Sequence, residues 1–372
     1  MLTTDPASQQ QLLYPPADAE EVPIIILLSR ATECPFAIKG SGHTAFKGAS
    51  NSHGGITIEF AQIKQVIPSA DRKSVVIGPG NTCLGTVGVS GLILGGGISF
   101  FSGQYGWICD SIISYQIVLG SGEILTALRG GGGGNFGVGA QFVASTFEQV
   151  PIWGGFLTWE MHGSKMALID AMVNYAEKGS LQDPKAALIV SFAHVQRYQT
   201  WVSSLIVDHP DPLPEGSHPE VFDENFNIGN PFADSTRTAT HSNLTAASYW
   251  AMTTRLDKQS ELDILTIFEE ETTPILDLAD FLPSSRRHGG NALGIGGGEE
   301  PLLLISFSPM WVSTTDDGAV LTWSLARERG LNHPFSYINY GSQIQDPLAG
   351  YGAENLARLV EVSKKYDPNG VL

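Results

Sequence analysis

Cysteine is scarce in this chain: Cys34, Cys83 and Cys109 are the only three in 372 residues. Their number is odd, they lie far apart and no CxxC pair occurs, so neither a disulfide framework nor a zinc site is indicated. Each is expected to be a small buried apolar residue. Positive charge is also in short supply. Lys and Arg total 21 against 38 Asp and Glu, a formal net charge of −17, which repels nucleic acid and anionic membrane surfaces. Neither is an expected partner. Long apolar runs are missing as well: a stretch such as Ile24 to Leu28 is far too short to span a bilayer. The first twenty residues lack the basic start and apolar stretch of a signal peptide. The expectation is a soluble chain without an export signal, its compartment otherwise open.

What is present is apolar residues and glycine. An apolar fraction of 42% over this length can fill a sizeable core, and two lobes are the natural expectation. The 42 glycines cluster mainly between Gly40 and Gly139, including Gly95-Gly96-Gly97 and five in a row from Gly130 to Gly134. Between the clusters lie short strand-like runs: Ile56 to Phe60, Ser74 to Ile77, Ile112 to Leu119 and Ala140 to Phe147. This describes a sheet-rich lobe whose loops approach something closely, over residues 1–150. Further on, Ser164 to Ala176 and Glu261 to Phe268 have apolar residues at helical intervals, and Ala319 to Glu328 continues that pattern. Ala186 to Phe192 and Leu302 to Phe307 have strand length, and residues 208–236, rich in Pro, Asp, Asn and Gly, read as a long surface loop. The fold class is therefore α+β, with a second lobe over residues 151–330 and residues 331–372 returning to the first.

The most informative segment runs from Pro35 to Asn51. A strand-like stretch ends in Gly40-Ser41-Gly42, and His43 follows at once. Glycines let the backbone pass close to a ligand with its N–H groups exposed, as in phosphate cradles. Gly40-x-Gly42-x-x-Ala45 also fits a loose dinucleotide fingerprint, but that motif needs a helix directly after the turn. Thr44 to Gly55 holds too many turn formers for one. A different phosphate-binding loop is the better reading, with a purely structural turn the plain alternative.

Seven ordered motifs carry a family resemblance: KGSGH at Lys39–His43, GPG at Gly78–Gly80, TVGVSGLILGGG at Thr86–Gly97, YGWICDSI at Tyr105–Ile112, GGGGNFGV at Gly131–Val138, YINY at Tyr337–Tyr340 and KKYDPNGV at Lys364–Val371. Together they resemble the berberine-bridge-enzyme-like FAD oxidoreductases, whose FAD domain is of the vanillyl-alcohol-oxidase, or p-cresol-methylhydroxylase, type. The resemblance implies a two-lobed fold: that FAD-binding domain plus an α+β substrate domain with an antiparallel sheet. It implies that the backbone of Lys39, Gly40, Ser41, Gly42, His43 and Thr44 lines the pyrophosphate and that His43 is bonded to the flavin. Thr86, Val87, Gly88, Ser90 and Gly91 would run beside the isoalloxazine, with Tyr105, Gly106 and Asp110 bordering the rest of FAD. Asn339 and Tyr340 would arrive from a C-terminal strand on the substrate side. Where many relatives add a second flavin bond through cysteine this chain has Leu84, which leaves His43 as the attachment and the neighbouring Cys83 as a lesser candidate. The resemblance also marks this chain as short between Gly80 and Thr86, between Ala127 and the glycine run, and around Ser284 to Arg287.

On that reading FAD carries the redox chemistry and the protein supplies orientation and charge stabilisation. Oxidation moves a hydride to flavin N5 and leaves a proton for some group to take. Tyr340 is the candidate, with Asn339 orienting; a phenol with a reference pKa of about 10 needs a stabilised phenolate for this task. The expected function is an oxidase of a small alcohol, amine or activated C–H, from secondary metabolism or sugar chemistry, with molecular oxygen as second substrate and hydrogen peroxide as product. The small Val87 suits oxygen access. The alternative is a redox-neutral cyclase, isomerase or ligand-binding protein on the same scaffold. The run Glu269 to Glu271 reads as a solvated helix face.

Overall fold

The computed structural model describes residues 12–44, 48–83, 87–128, 136–195, 199–211, 214, 217, 219–225, 233–234, 246–247, 250–256, 258–273, 279–280, 283–287, 302–307, 310–311 and 333–372. Thr86, the run Gly130 to Gly134 and the expected helix from Ala319 to Glu328 lie outside them.

Strand β1 (Leu12–Tyr14) precedes helix α1 (Glu21–Thr32), where Val22, Ile25, Ile26 and Ser29 repeat at helical spacing and are the buried residues. The helix ends on left-handed Glu33 (φ 52°), and Cys34 N–H returns to the Ser29 carbonyl at 2.9 Å. The chain then enters β2 (Phe36–Lys39) and β3 (Ile56–Glu59), which with β1 form a parallel three-stranded sheet in the order β1-β3-β2. Strands β4 (Val66–Pro68) and β5 (Ser74–Ile77) follow, and then the two-stranded pair β6 (Thr82–Cys83) and β7 (Val87–Gly88). Helices α2 (Val89–Leu94) and α3 (Ser102–Tyr105) lead into β8 (Ile112–Val118), β9 (Ile124–Leu128) and β10 (Val138–Ser145). These complete an antiparallel five-stranded sheet in the order β4-β5-β10-β8-β9.

The remaining strands form other sheets. After β11 (Trp153–Glu160) comes α4 (Met161–Asn174), prolonged by a π turn at Tyr175–Gly179 and the single turn α5 (Ser180–Gln182). The Glu160 carboxylate accepts the His162 and Gly163 N–H groups at 3.0 and 2.8 Å and starts α4. Next are β12 (Ala187–Val195), β13 (Thr200–His209), α6 (Glu220–Asn225), β14 (Ala233–Asp234), β15 (Ala246–Ala247), β16 (Trp250–Arg255) and α7 (Lys258–Thr272). Last come β17 (Ala279–Asp280), β18 (Pro283–Arg287), β19 (Leu302–Phe307), β20 (Met310–Trp311) and helix α8 (Ala353–Tyr366). An antiparallel seven-stranded sheet runs β14-β11-β13-β12-β18-β19-β16. One of its faces packs on α4, α6 and α7 through Leu168, Met172, Phe222, Phe268, Val190, Leu205, Met252 and Ile305. A Lys165–Glu269 ion pair at 2.8 Å ties α4 to α7, so part of the glutamate run is engaged with a neighbouring helix.

The fold is α+β, and three expectations are corrected. The segment read as one surface loop holds the end of β13, helix α6 and strand β14; Val221 and Phe222 bury against the α4 core, and that burial overrides the local turn formers. The three cysteines form no disulfide but are half-buried rather than buried, because they sit at element ends where one side faces solvent. Asn339 and Tyr340 lie in a 3-10 turn, Ile338–Tyr340, not a strand. Tyr340 N–H donates to the Tyr337 carbonyl at 2.9 Å and Gly341 N–H to Ile338 at 3.1 Å, which closes the chain on itself. Among the described residues no helix is long and apolar enough to cross a membrane.

Candidate active site

The loop after β2 sits against the start of α2 with no side chain between them. A Cβ on Gly40 would lie 2.8 Å from Ser90 Oγ, and one on Gly88 would lie 2.7 Å from Ser41 Oγ and 3.1 Å from Ser41 N. Gly42 has φ +75°, a left-handed conformation that favours glycine. Behind it the Lys39 side chain folds back to an ion pair with Glu59 at 2.7 Å. The Ser41 hydroxyl is buried and has no hydrogen-bond partner among the described residues. A buried unpaired hydroxyl is costly, so a ligand with acceptor oxygens at this loop would relieve it. His43, next in the chain, is exposed, as is Thr44. Val87 is half-buried in β7, where Cys83 Sγ lies 3.6 Å from its carbonyl. Burial raises the Cys83 thiol pKa.

The glycines Gly95 to Gly97 form the spine that joins this loop to the other motifs. Asn339 donates its amide to the Leu92 carbonyl at 3.1 Å and to the Tyr337 hydroxyl at 2.9 Å, and it lies so close to Gly95 that a Cβ there would collide with it. Cys109 and Ile108 N–H groups donate to the Gly96 and Gly97 carbonyls, both at 2.8 Å. Tyr337 is fully buried beneath the turn, its ring 5.2 Å from Trp107 and edge-on to Tyr340 at 5.0 Å. Burial, then the neighbouring Tyr340, pushes its phenol well above the usual range, so it stays neutral. Tyr340 itself is half-buried.

The predicted residues thus gather in two places. Gly40, Ser41, Gly88, Ser90 and Asn339 meet around α2. Tyr105, Gly106 and Asp110 lie beyond the spine: Asp110 accepts the Trp107 N–H at 3.1 Å and crowds Gly106 (φ +74°), while the Tyr105 ring stacks on Phe147 at 4.3 Å. Gly91 is exposed with open space around it. Sequence reasoning quoted Trp107 and Tyr337 only inside motifs and gave them no role. Their signal was aromatic bulk next to glycines, which fits the packed layer they form with Ile98, Leu304, Phe335 and Tyr351.

Comparison with known proteins fits this geometry. A family described as an FAD binding domain matches residues 68–128. The chain is 31% identical to the FAD-dependent monooxygenase tpcD of Cochliobolus heterostrophus over 98% of this chain and 84% of that protein. It is equally similar to the FAD-dependent monooxygenase FUP4 of Fusarium proliferatum, at 31% with the same coverage. Both alignments run over 444 positions against 372 residues here, so the relatives carry segments that this chain lacks. The fold matches 6-hydroxy-D-nicotine oxidase from Arthrobacter nicotinovorans with a TM-score of 0.77 at 16% identity, over 96% of this chain and 90% of that one. It also matches the berberine-bridge-enzyme-like protein 1 of Physcomitrella patens with a TM-score of 0.73 at 17% identity, over 97% and 89%. The chain belongs to the berberine-bridge-enzyme-like, FAD-linked oxidoreductases.

Proposed function

We propose that this enzyme is an FAD-dependent oxidase of a small organic alcohol, amine or activated C–H compound of fungal-type secondary metabolism or sugar chemistry. The observation that carries the reading is the buried, unpartnered Ser41 hydroxyl in a loop that only glycines could bring against α2. The backbone from Lys39 to Thr44 would hold the pyrophosphate, and Val87, Gly88, Ser90 and Gly91, with Thr86, would flank the ring. Tyr105, Gly106 and Asp110 would border the remainder. When bound, FAD supplies the hydride acceptor and hands its electrons to oxygen, which leaves as hydrogen peroxide.

The protein's own residues have three tasks. His43, exposed at the end of the cradle, would tether the cofactor covalently; Cys83, whose raised thiol pKa disfavours the thiolate, is the weaker candidate for a second bond. Asn339, held by the Leu92 carbonyl and the neutral Tyr337, would orient the substrate side, and Tyr340 would take the proton from the substrate O–H or N–H. Residues 1–150 and 331–372 would bind the cofactor and residues 151–330 the substrate. Fungal relatives named FAD-dependent monooxygenases support the metabolic setting.

Anaerobic addition of polyols, oligosaccharides and phenolic ketols or alcohols to purified protein tests this function. Bleaching of the visible flavin band by one class, followed by stoichiometric peroxide when oxygen is admitted, is the expected result. Turnover of a substrate while the band stays oxidised and no peroxide appears would contradict it.

A further inference from the structure

The seven-stranded sheet has two unlike faces. The row Leu157, Leu205, Val190, Ile305 and Met252 points into the core beneath α4 and α7. Side chains alternate along each strand and directly paired residues share a face. The next row, which runs Thr158, Ser204, Ser191, then through Ser284 of β18 to Ser306, therefore turns the other way. The described side chains of that row are all hydroxyls. Two residues along β16 and β19, on this same face, Thr253 pairs with Leu304. Leu304 packs against Trp107, Phe335 and Tyr337, the layer beneath the turn that carries Asn339 and Tyr340. The Thr253 carbonyl accepts the His333 N–H at 2.6 Å, and β16 packs on that turn. Thr253 is 2% exposed, yet its hydroxyl has no hydrogen-bond partner among the described residues.

We infer that Thr253 is a substrate-positioning residue and that the hydroxyl-bearing face of this sheet recognises a neutral, oxygen-rich ligand. The role rests on the flavoenzyme reading above and deepens it by naming the substrate class. A hydroxyl both donates and accepts, so it pairs equally well with a substrate hydroxyl or carbonyl, and it has no charge to offer a carboxylate or an ammonium group. Leaving such a group buried and unpaired lowers stability unless a ligand completes it. Sites held ready for a ligand carry this kind of cost elsewhere too.

The inference separates stability from binding. Thr253→Val keeps the shape and removes the hydroxyl; Thr253→Ser keeps the hydroxyl. The Val variant is expected to melt at the same temperature as the parent or roughly 1–3 °C higher. By isothermal calorimetry it should bind 2,4-dihydroxyacetophenone, cellobiose or xylitol, whichever the parent binds most tightly, about tenfold more weakly. The Ser variant should stay within about threefold, and benzoate and benzylamine should bind the parent more weakly than the neutral probes. A Val variant that binds the best neutral probe within twofold of the parent overturns the role, as does one that melts lower while the Ser variant melts normally. Failure of all three neutral probes to bind the parent overturns the substrate class. Flavin content of the same samples distinguishes the two readings. Thr253-dependent binding to flavin-free protein would leave this subsite standing and remove the flavin reading, whereas flavin-bearing protein indifferent to Thr253 would do the reverse.

Discussion

At the scale of single residues, two tyrosines three positions apart have different settings. Tyr337 is fully buried, accepts the Asn339 amide and is held neutral, whereas Tyr340 is half-buried at the edge of that ring. Only Tyr340 is therefore placed to exchange a proton with a substrate. Tyr340→Phe should lower kcat by about 10²- to 10³-fold, the usual contribution of a positioned base, with flavin content unchanged; steady-state oxygen consumption reads the first and absorbance the second. A second expectation concerns Tyr351, whose phenol is pushed up to about 12, chiefly by burial. A pKa raised in the folded state means that the native protein holds protons which the unfolded chain loses from about pH 10. That share of stability is complete below pH 10 and is lost as the pH rises towards 12. Melting temperatures should therefore fall across this alkaline window, and less steeply in Tyr351→Phe. Much of this scale was legible beforehand: Asn339 was singled out from its motif, and the structure places it on α2. Thr253 was not legible, because one threonine in an apolar strand gives no sign that its hydroxyl goes unpaired.

At the scale of elements, close backbone approach decides what can be changed. The Asn339 turn docks on α2 only because Gly95 has no side chain there. Gly95→Ala should displace that turn and depress activity as strongly as loss of Asn339 itself. Flavin retention should suffer less, since the loop from Gly40 to Gly42 is untouched; parallel assays of turnover and flavin content check this. Helix α4 illustrates a local term. Glu160→Ala removes the carboxylate that accepts two N–H groups, at a cost of about 1 kcal/mol, measurable by urea unfolding. Those hydrogen bonds, first that from Gly163, lower the Glu160 pKa. The cap's contribution is present at neutral pH, above the unfolded value near 4.3, and is lost as the pH falls through the lowered native value. The parent and the alanine variant should converge in acid. Strands such as β5 and β19 matched their apolar runs, whereas α1 was read only as a stretch too short for a membrane. Its buried residues Val22, Ile25, Ile26 and Ser29 carry the helical period, but Ile24, Leu27 and Leu28 are apolar on the exposed side and mask it.

At the scale of the whole molecule, the sheets are built from separate stretches of chain, and the C-terminal segment returns to the N-terminal motifs through Asn339, Tyr337 and Trp107. The α+β class followed from the alternation of helical and strand periods. The order of strands across the seven-stranded sheet did not, because the pairing of β12 with β18 joins residues about a hundred positions apart and no local signal specifies it. The shortened segments expected beside the cradle agree with relatives that need 444 aligned positions to cover this chain. The central claim is that so abridged a chain still holds FAD on the glycine loop and His43. It is tested most directly by visible absorbance of the purified protein before and after acid precipitation, with His43→Ala alongside. A yellow parent whose colour stays in the denatured pellet, and a variant whose colour passes to the supernatant, are predicted; a colourless parent after incubation with FAD, or colour retained by the variant's pellet, would contradict the account.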